Sequence, residues 1–208
     1  MPRKLLVATT NPGKIRELRD LLAPLGLSVV SFADEGMSPL PPVEETEQSF
    51  EGNARLKAVA YADFYKLPAL ADDSGLTVDF LGGAPGVQSA RYAGPEANDA
   101  SNVRKLLSEL GSVSESERKA GFVCVLCLAL PSGQQWHFRG ECRGKIAPGP
   151  VGEGGFGYDP VFISDELPGR TFAQITPEEK ASVSHRGRAV RELVRRLETG
   201  LLDEIFAG

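Results

Sequence analysis

Two adjacent carboxylates, Asp72 and Asp73, follow a short apolar run and precede Ser74 and Gly75. Side-by-side carboxylates repel each other, and a bound divalent cation relieves that repulsion. Carboxylate and phosphate oxygens suit magnesium, and a carboxylate beside such a metal can accept a proton from an attacking water. The segment therefore indicates metal-assisted hydrolysis, although the same residues are also typical of a solvated turn before a glycine.

A second candidate is the loop between the first apolar run and the first helical pattern. A glycine-containing loop before a helix directs backbone N–H groups and the positive end of the helix at one point, which suits phosphate. The loop consists of Thr9, Thr10, Asn11, Pro12, Gly13 and Lys14. It is not a P-loop, because Ala8 and Ile15 break that pattern. An ordinary turn with a lysine near its helix is the alternative.

Two further groups of residues carry hydrogen-bonding side chains. Asn53 and Lys57 are four residues apart and share a helix face, with Glu44 and Glu45 just upstream. A solvated helix face preceded by acids explains this first group equally well. The second group is a basic segment that contains Lys180, His185 and Arg186 near a predicted helix start. Exposed basic residues at a helix start are its alternative.

A glycine-rich segment over residues 154–160 includes Phe156, Gly157, Tyr158 and Asp159. The two aromatic rings offer flat faces for a nucleotide base, and Asp159 offers a hydrogen-bond acceptor. The alternative is a glycine loop whose aromatic side chains pack into the core. Taken together, the cationic, acidic and aromatic groups predict a site for a metal and a nucleotide.

Strands and helices alternate in the elements that must position these residues. Apolar runs at 4–9 and 27–32, with helical spacing at 14–23 between them, predict a β-α-β start. We expect a helix over 46–65 capped by Thr46 and a strand over 69–71 that ends before Asp72. We also expect a strand at 76–80, a helix from 98 or 99 to 111, a hairpin of 121–130 and 135–146, a strand at 161–163 and helices after Thr176 and Ser184. This order predicts an α/β fold with a mixed, long-stranded central sheet flanked by helices.

Length, charge and cysteine content exclude several classes of protein. The 208 residues carry 23 basic and 28 acidic side chains, a formal net charge of −5. Binding to polymeric nucleic acid requires many contacts from Lys and Arg to phosphate, so no nucleic acid partner is expected. No apolar run is long enough for a membrane span or a signal peptide. Cys124 and Cys127 lie on opposite faces of a predicted strand, so we expect buried thiols in a cytoplasmic protein.

Five segments resemble, in order and spacing, those of the inosine triphosphate pyrophosphatases, also called dITP/XTP or non-standard purine nucleoside-triphosphate pyrophosphatases. They are VATTNPGKIREL, EETEQSFEGNARLKA, LADDSGLTVDFLGGAPGVQSARYAG, GGFGYDPVF and EEKASVSHRGRA. The resemblance implies one two-lobed domain over residues 1–208, with the nucleotide in the cleft between the lobes, and a homodimer. It implies magnesium-dependent hydrolysis of ITP, dITP and XTP to the nucleoside monophosphate and pyrophosphate. Deaminated purines would thereby be kept out of DNA and RNA.

The resemblance also implies roles for individual residues. Asp73 matches the general base and a metal-associated acid, and Asp72 assists it and is a further predicted metal ligand. Glu45 matches the metal-binding acid, with a one-residue ambiguity because Glu44 is adjacent. The implied substrate contacts are residues 9–14, Ser74, Asn53, Lys57, Phe156, Gly157, Tyr158, Asp159, Lys180, His185 and Arg186. Donors near Arg186 would select the 6-oxo group of hypoxanthine and xanthine against the 6-amino group of adenine.

Two other functions remain open from the sequence. One is a pyrophosphatase of similar fold that acts on modified pyrimidine nucleotides or on dTTP and UTP. The other is a protein that binds nucleotides without hydrolysing them. The acids Glu45, Asp72 and Asp73 argue against the second, because binding alone needs no general base.

Overall fold

The computed structural model describes residues 3–9, 12–32 and 40–206, and the predicted site residues Thr10 and Asn11 lie outside these segments. The strands are β1 (Lys4–Val7), β2 (Ser28–Val30), β3 (Ala69–Val78), β4 (Lys119–Ala129), β5 (Gln135–Ile146) and β6 (Phe162–Ser164). The α-helices are α1 (Pro12–Leu22), α2 (Phe50–Tyr65), α3 (Asp99–Leu110), α4 (Pro177–Val183), α5 (His185–Arg196) and α6 (Leu202–Phe206).

The strands form one six-stranded sheet in the order β2-β1-β3-β4-β5-β6. Strand β1 pairs in parallel with β2 and with β3, whereas β5 and β6 are antiparallel. Leu5, Leu6 and Val7 of β1 are all buried, as is usual for a parallel strand inside a sheet. The predicted α/β class with a mixed, long-stranded sheet is confirmed.

Strand β3 is longer than the sequence predicts. It runs without interruption from Ala69 to Val78, so the expected strand end at Ala71 is wrong, and so is the alternative of a solvated turn before Gly75. The acidic pair lies in the middle of the strand, because each carboxylate has a cationic partner that compensates its burial. Successive side chains on a strand point to opposite faces, so Asp72 and Asp73 have different lysine partners.

Helix α2 begins later than expected. Its N-cap is Ser49, whose Oγ accepts a hydrogen bond from Gly52 N at 3.1 Å, so the prediction of Thr46 as the cap is wrong. The residues before the helix are held in another way, because Glu47 N donates to the side-chain Oδ1 of Asn53 at 3.0 Å. Glu45 is thereby placed on an extended segment in front of the helix.

Most other predicted boundaries agree with the structure to within a few residues. Asn98 caps α3 through a capping box with Ser101, and Thr176 caps α4 through one with Glu179. Ser184 precedes α5, and its Oγ accepts a hydrogen bond from Gly187 N at 3.1 Å. The predicted hairpin is formed by β4 and β5.

The chain divides into two compact units. The first unit comprises Met1–Asp73, Val125–Arg139 and Ala189–Gly208, and the second comprises Ser74–Cys124 and Gly140–Arg188. In the first unit Leu6, Leu18 and Ala58 are almost completely buried. In the second unit a core that includes Ile146 and Phe162 packs around strand residues. A single functional domain over residues 1–208 stays a prediction.

The three cysteines are free thiols and are all buried, which confirms the interpretation of Cys124 and Cys127. Burial raises the pKa of Cys127 to about 12, so this thiol is protonated at neutral pH and is a weak nucleophile. Within the described segments, no helix is both long and apolar enough to cross a membrane.

Candidate active site

In the first unit, Lys57 contacts two of the three acids that the sequence assigned to the metal, Glu45 and Asp73. Its Nζ lies 2.8 Å from Glu45 Oε1 and 3.1 Å from Asp73 Oδ1. Glu45 comes from the segment before α2, Lys57 from the second turn of α2, and Asp73 from β3. Glu44 is exposed, so the structure places Glu45 rather than Glu44 against this lysine.

The pKa of Asp73 and the pKa of Lys57 are both raised above their ordinary values. Burial raises the pKa of Asp73; Lys57 acts in the opposite direction, while Glu45 and Asp72 raise it further, and the net shift is upward. Burial by itself would lower the pKa of Lys57, but the charges of Asp73, Asp72 and Glu45 outweigh burial and raise it. A raised carboxylate pKa makes Asp73 a better proton acceptor than an exposed aspartate.

Asn53 connects Asp73 to the segment before α2. It is completely buried, and its Nδ2 donates to Asp73 Oδ2 at 3.4 Å while its Oδ1 accepts from Glu47 N. Both ends of the amide are therefore used inside the protein. This contact holds Asp73 in place, and the role of Asn53 as a direct substrate contact stays a prediction.

Asp72 forms the second acid–base pair of this unit. Its Oδ2 lies 2.7 Å from the Nζ of Lys14, which is in the first turn of α1. Asp72, Lys14 and Lys57 border one cavity of about 650 Å³, which we call the lysine cavity. Its lining residues are Ala8, Thr9, Lys14, Phe32, Leu40, Pro41, Pro42, Val43, Glu45, Lys57, Tyr61 and Asp72. Pro12 and Gly13 form the start of α1, so the described C-terminal part of the predicted phosphate loop lies at a helix N-terminus.

The acids fit a divalent cation only in part. Among the described residues, no three acidic, His or Cys side chains are grouped so as to hold a metal ion. Glu45 and Asp73 do converge on a single cationic nitrogen, that of Lys57, whereas the carboxylate of Asp72 pairs with Lys14. The protein therefore offers two converging carboxylates in a negative environment, and further ligands would have to come from substrate and water.

The predicted base-binding loop belongs to the second unit. Asp159 is buried, and its Oδ2 accepts hydrogen bonds from Phe156 N at 2.8 Å and from Lys180 Nζ at 2.5 Å. The same lysine nitrogen lies 4.5 Å from the centre of the Phe156 ring, a cation–π contact. Phe156 is 46% exposed, so its ring is available to a planar ligand.

Backbone contacts fix the shape of this loop. Gly155 has φ +74°, and a Cβ atom there would lie 2.0 Å from Asp159 Oδ2. Gly157 N donates to Asp99 Oδ2 at 2.6 Å. Tyr158 is 4% exposed, and its hydroxyl donates to the carbonyl oxygen of Ser89 at 2.8 Å. The ring of Tyr158 therefore anchors the loop to the protein interior, and its role as a contact to the base stays a prediction.

His185 and Arg186 begin helix α5 in the same unit and are both buried. The imidazole of His185 stacks on Phe122 with ring centres 4.7 Å apart and an angle of 11°. Arg186 Nη2 donates to Ser74 Oγ at 3.4 Å, and its guanidinium lies 5.9 Å from the Phe156 ring centre. The structure thus brings Ser74, Phe156, Lys180 and Arg186 together in this unit.

Sequence reasoning missed three residues that shape these groups. Phe122 lies in an apolar strand run, which gives no signal of a contact with His185. Asp99 follows the N-cap of α3, where an acid is expected for reasons of helix stability alone. Tyr61 follows Lys57 by four residues on α2, and that spacing places it on the same helix face.

Known proteins are similar to this chain over nearly its whole length. A curated relative named dITP/XTP pyrophosphatase from an Exiguobacterium species is 51% identical over 190 residues, which cover 91% of this chain and 94% of the relative. A relative of the same name from Bacillus subtilis is 43% identical over 196 residues, covering 94% and 98%.

Two solved structures are also similar to this chain. The structure of the Staphylococcus aureus Ham1 protein has a TM-score of 0.85 and 40% identity, and it covers 94% of this chain and 98% of that chain. A Mycobacterium abscessus structure named nucleoside-triphosphatase / dITP/XTP pyrophosphatase has a TM-score of 0.76 and 43% identity, covering 91% and 97%. A model of the Ham1 family matches residues 5–196. The chain therefore belongs to the Ham1 family.

Proposed function

We propose that this protein hydrolyses the non-standard purine nucleotides ITP, dITP and XTP to the nucleoside monophosphate and pyrophosphate. The observation that carries the proposal is the buried Asp73, whose pKa is raised and which contacts both Lys57 and Asn53. Protein relatives named dITP/XTP pyrophosphatase, 43–51% identical to this chain, support the choice of substrate. By this activity the protein removes deaminated purines from the pool of precursors for DNA and RNA.

The first unit binds the phosphates in this proposal. Lys14 lies in the first turn of α1, where free backbone N–H groups and the helix dipole also favour an anion. Asp73 accepts the proton of a water that attacks the α-phosphorus, and the bond to the pyrophosphate breaks. Lys14 stabilises the charge that develops on the departing pyrophosphate.

Magnesium is the proposed metal. Glu45 and Asp73 are the residues that would hold it, because their oxygens converge and magnesium prefers oxygen ligands while retaining several waters. Asp72 contributes negative potential from its position beside Lys14. When bound, the ion supplies positive charge that neutralises phosphate oxygens.

The second unit binds the purine. Phe156 offers a partly exposed ring. Asp159 positions its backbone by accepting a hydrogen bond from Phe156 N, and the ammonium of Lys180 contacts its ring. Arg186 supplies donors for the 6-oxo group, and adenine presents an amino group that leaves such a donor unpaired. Homodimer formation, which rests on the resemblance, and a cytoplasmic location, which rests on the free buried cysteines, are further parts of the proposal.

Product analysis tests the proposed reaction. Incubation of the protein with ITP and Mg²⁺ is expected to give IMP and pyrophosphate in equal amounts, and chelation of the metal is expected to stop it. Formation of IDP and phosphate would contradict the proposed bond cleavage. Equal turnover with and without chelator would contradict the proposed role of the metal.

A further inference from the structure

Tyr61 lines the lysine cavity, one helical turn after Lys57 on α2. Residues four apart on a helix are neighbours on one face, so the phenol and the ammonium border the same space. The ring of Tyr61 is held on two sides, with centre-to-centre distances of 6.3 Å to Phe32 and 5.8 Å to Tyr65. The side chain is therefore fixed in place and half-buried at the wall of the cavity.

The hydroxyl of Tyr61 differs from those of the other three tyrosines. Tyr65 accepts a hydrogen bond from Leu40 N at 3.0 Å, Tyr158 donates to Ser89, and Tyr92 contacts Glu109. Within the described segments, Tyr61 Oη has no hydrogen-bond partner in the protein, and this oxygen is accessible to solvent rather than buried. An accessible donor at the wall of the lysine cavity is suited to a ligand that accepts hydrogen bonds.

The charges around the cavity indicate which ligand this is. Burial and the neighbouring Tyr65 raise the pKa of Tyr61, while the positive charge of Lys57 lowers it, so the phenol oxygen lies within the field of that ammonium. The hydroxyl remains protonated at neutral pH and can donate. Lys14 and Lys57 line the cavity together with Asp72 and Glu45, the acids that pair with them, so the cavity suits pyrophosphate that carries Mg²⁺ rather than a free anion. An apolar wall that includes Pro41, Pro42 and Val43 strengthens polar contacts by excluding water.

We infer that the Tyr61 hydroxyl donates a hydrogen bond to the pyrophosphate portion of the bound nucleotide, and to pyrophosphate as product. Tyr61 is then a substrate-binding residue in addition to those predicted from the sequence. The inference rests on the proposed function, because it takes the lysine cavity as the place of the phosphates. It needs no change in the roles of Asp73 or Lys57.

Binding of inorganic pyrophosphate tests the inference without a nucleotide. Tyr61→Phe removes only the oxygen and keeps the ring contacts. Calorimetric titration of the full chain with pyrophosphate and Mg²⁺ is expected to show about tenfold weaker binding by Tyr61→Phe, the usual cost of a hydrogen bond to a charged acceptor. The KM for ITP is expected to rise by a similar factor while kcat stays nearly constant.

Tyr65→Phe is the matched control. Tyr65 lies one turn further along α2 and is not among the described residues that line the cavity. Tyr65→Phe removes the Tyr65 hydroxyl and leaves the proposed donor, the Tyr61 hydroxyl, in place. Thermal unfolding of both variants reports whether either change alters the fold. Tyr65→Phe is expected to bind pyrophosphate as the unmodified protein does.

Five outcomes separate the possibilities. Weaker pyrophosphate binding by Tyr61→Phe but not by Tyr65→Phe supports the inference. Unchanged binding by Tyr61→Phe overturns it, as does an equal loss in both variants or an absence of pyrophosphate binding to the unmodified protein. If the Tyr61 effect on pyrophosphate is found but ITP is not hydrolysed, the proposed function fails while the assignment of Tyr61 to pyrophosphate stands.

Discussion

Lys57 Nζ and Asp73 Oδ1 lie 3.1 Å apart, and the pKa of each side chain is raised above its ordinary value. An isolated ion pair would raise the pKa of the lysine and lower that of the acid. Here burial and the nearby Glu45 and Asp72 outweigh the effect of Lys57 on Asp73. The pair therefore belongs to a group in which the acidic side chains outnumber the lysines. An excess of negative charge favours protonation of Asp73, as a general base requires, and favours the binding of a divalent cation.

Asp73→Asn is expected to lower kcat by ~10²–10⁴-fold, because it removes the proton acceptor and keeps the shape. Stability at pH 7 is expected to stay equal or increase. A carboxyl whose pKa is raised by folding contributes stability below its unfolded pKa and loses that contribution as pH rises through its folded pKa. The ionised Asp73 is therefore unfavourable at pH 7.

Pyrophosphate release and the unfolding temperature measure these two effects of Asp73→Asn. Asp63→Asn is the control, because Asp63 is an exposed residue near the end of α2 that forms an ion pair with the equally exposed Lys66. It is expected to leave kcat unchanged. Turnover by Asp73→Asn equal to that of the unmodified protein would remove Asp73 as the base.

Lys57→Met is expected to shift the acidic limb of the pH profile of kcat/KM to higher pH. Lys57 lowers the pKa of Asp73, so its removal raises that pKa further and protonates the base at a higher pH. The pH dependence of kcat/KM for ITP between acidic and neutral pH measures the shift. Lys66→Met serves as the control, because Lys66 is the exposed residue at which α2 ends. If Lys57→Met moves the acidic limb to lower pH, the account is contradicted.

Gly155→Ala is expected to raise the KM for ITP on the order of tenfold to a hundredfold, since small displacements of binding groups have effects of this size. The added Cβ would overlap Asp159 Oδ2, and φ +74° is unfavourable for alanine. Binding of pyrophosphate alone is expected to stay unchanged. Gly149→Ala is the control, because a Cβ at Gly149 meets no atom within 4 Å.

Ser49→Ala is expected to lower the free energy of unfolding by about 1 kcal/mol, because it removes the side-chain cap of α2. Thr46→Ala, at the position that the sequence suggested as the cap, is expected to change it by less than about 0.5 kcal/mol. Urea denaturation measures both values. A larger loss for Thr46→Ala would show that the helix begins earlier.

The sequence was sufficient where a local pattern determines the structure. Asn98 and Thr176 are caps because a side chain and the backbone three residues away satisfy each other. It failed at the acidic pair, since charged residues are rarely tolerated in a buried strand. The compensating lysines lie 58 and 16 residues away in the chain, and no local rule predicts such contacts.

The candidate site, too, could be predicted from the sequence only in part. Motifs predicted Asp73, Glu45 and Lys57 as site residues, whereas only the structure shows that Glu45, rather than Glu44, contacts Lys57. The burial of Tyr158 and its bond to Ser89 also depend on tertiary packing. The four-residue spacing from Lys57 to Tyr61 predicts that both lie on one face of α2. Only the structure shows that Tyr61 also lines the lysine cavity, where its hydroxyl can donate to a ligand.

Substrate selection is the most direct test of the account. The measurement is kcat/KM, by pyrophosphate release with Mg²⁺, for ITP, dITP and XTP and for the four common dNTPs. The account predicts that the three non-standard purine nucleotides are hydrolysed at least about 10²-fold more efficiently than dATP. Equal values for ITP and dATP, or a preference for a pyrimidine nucleotide, would contradict it.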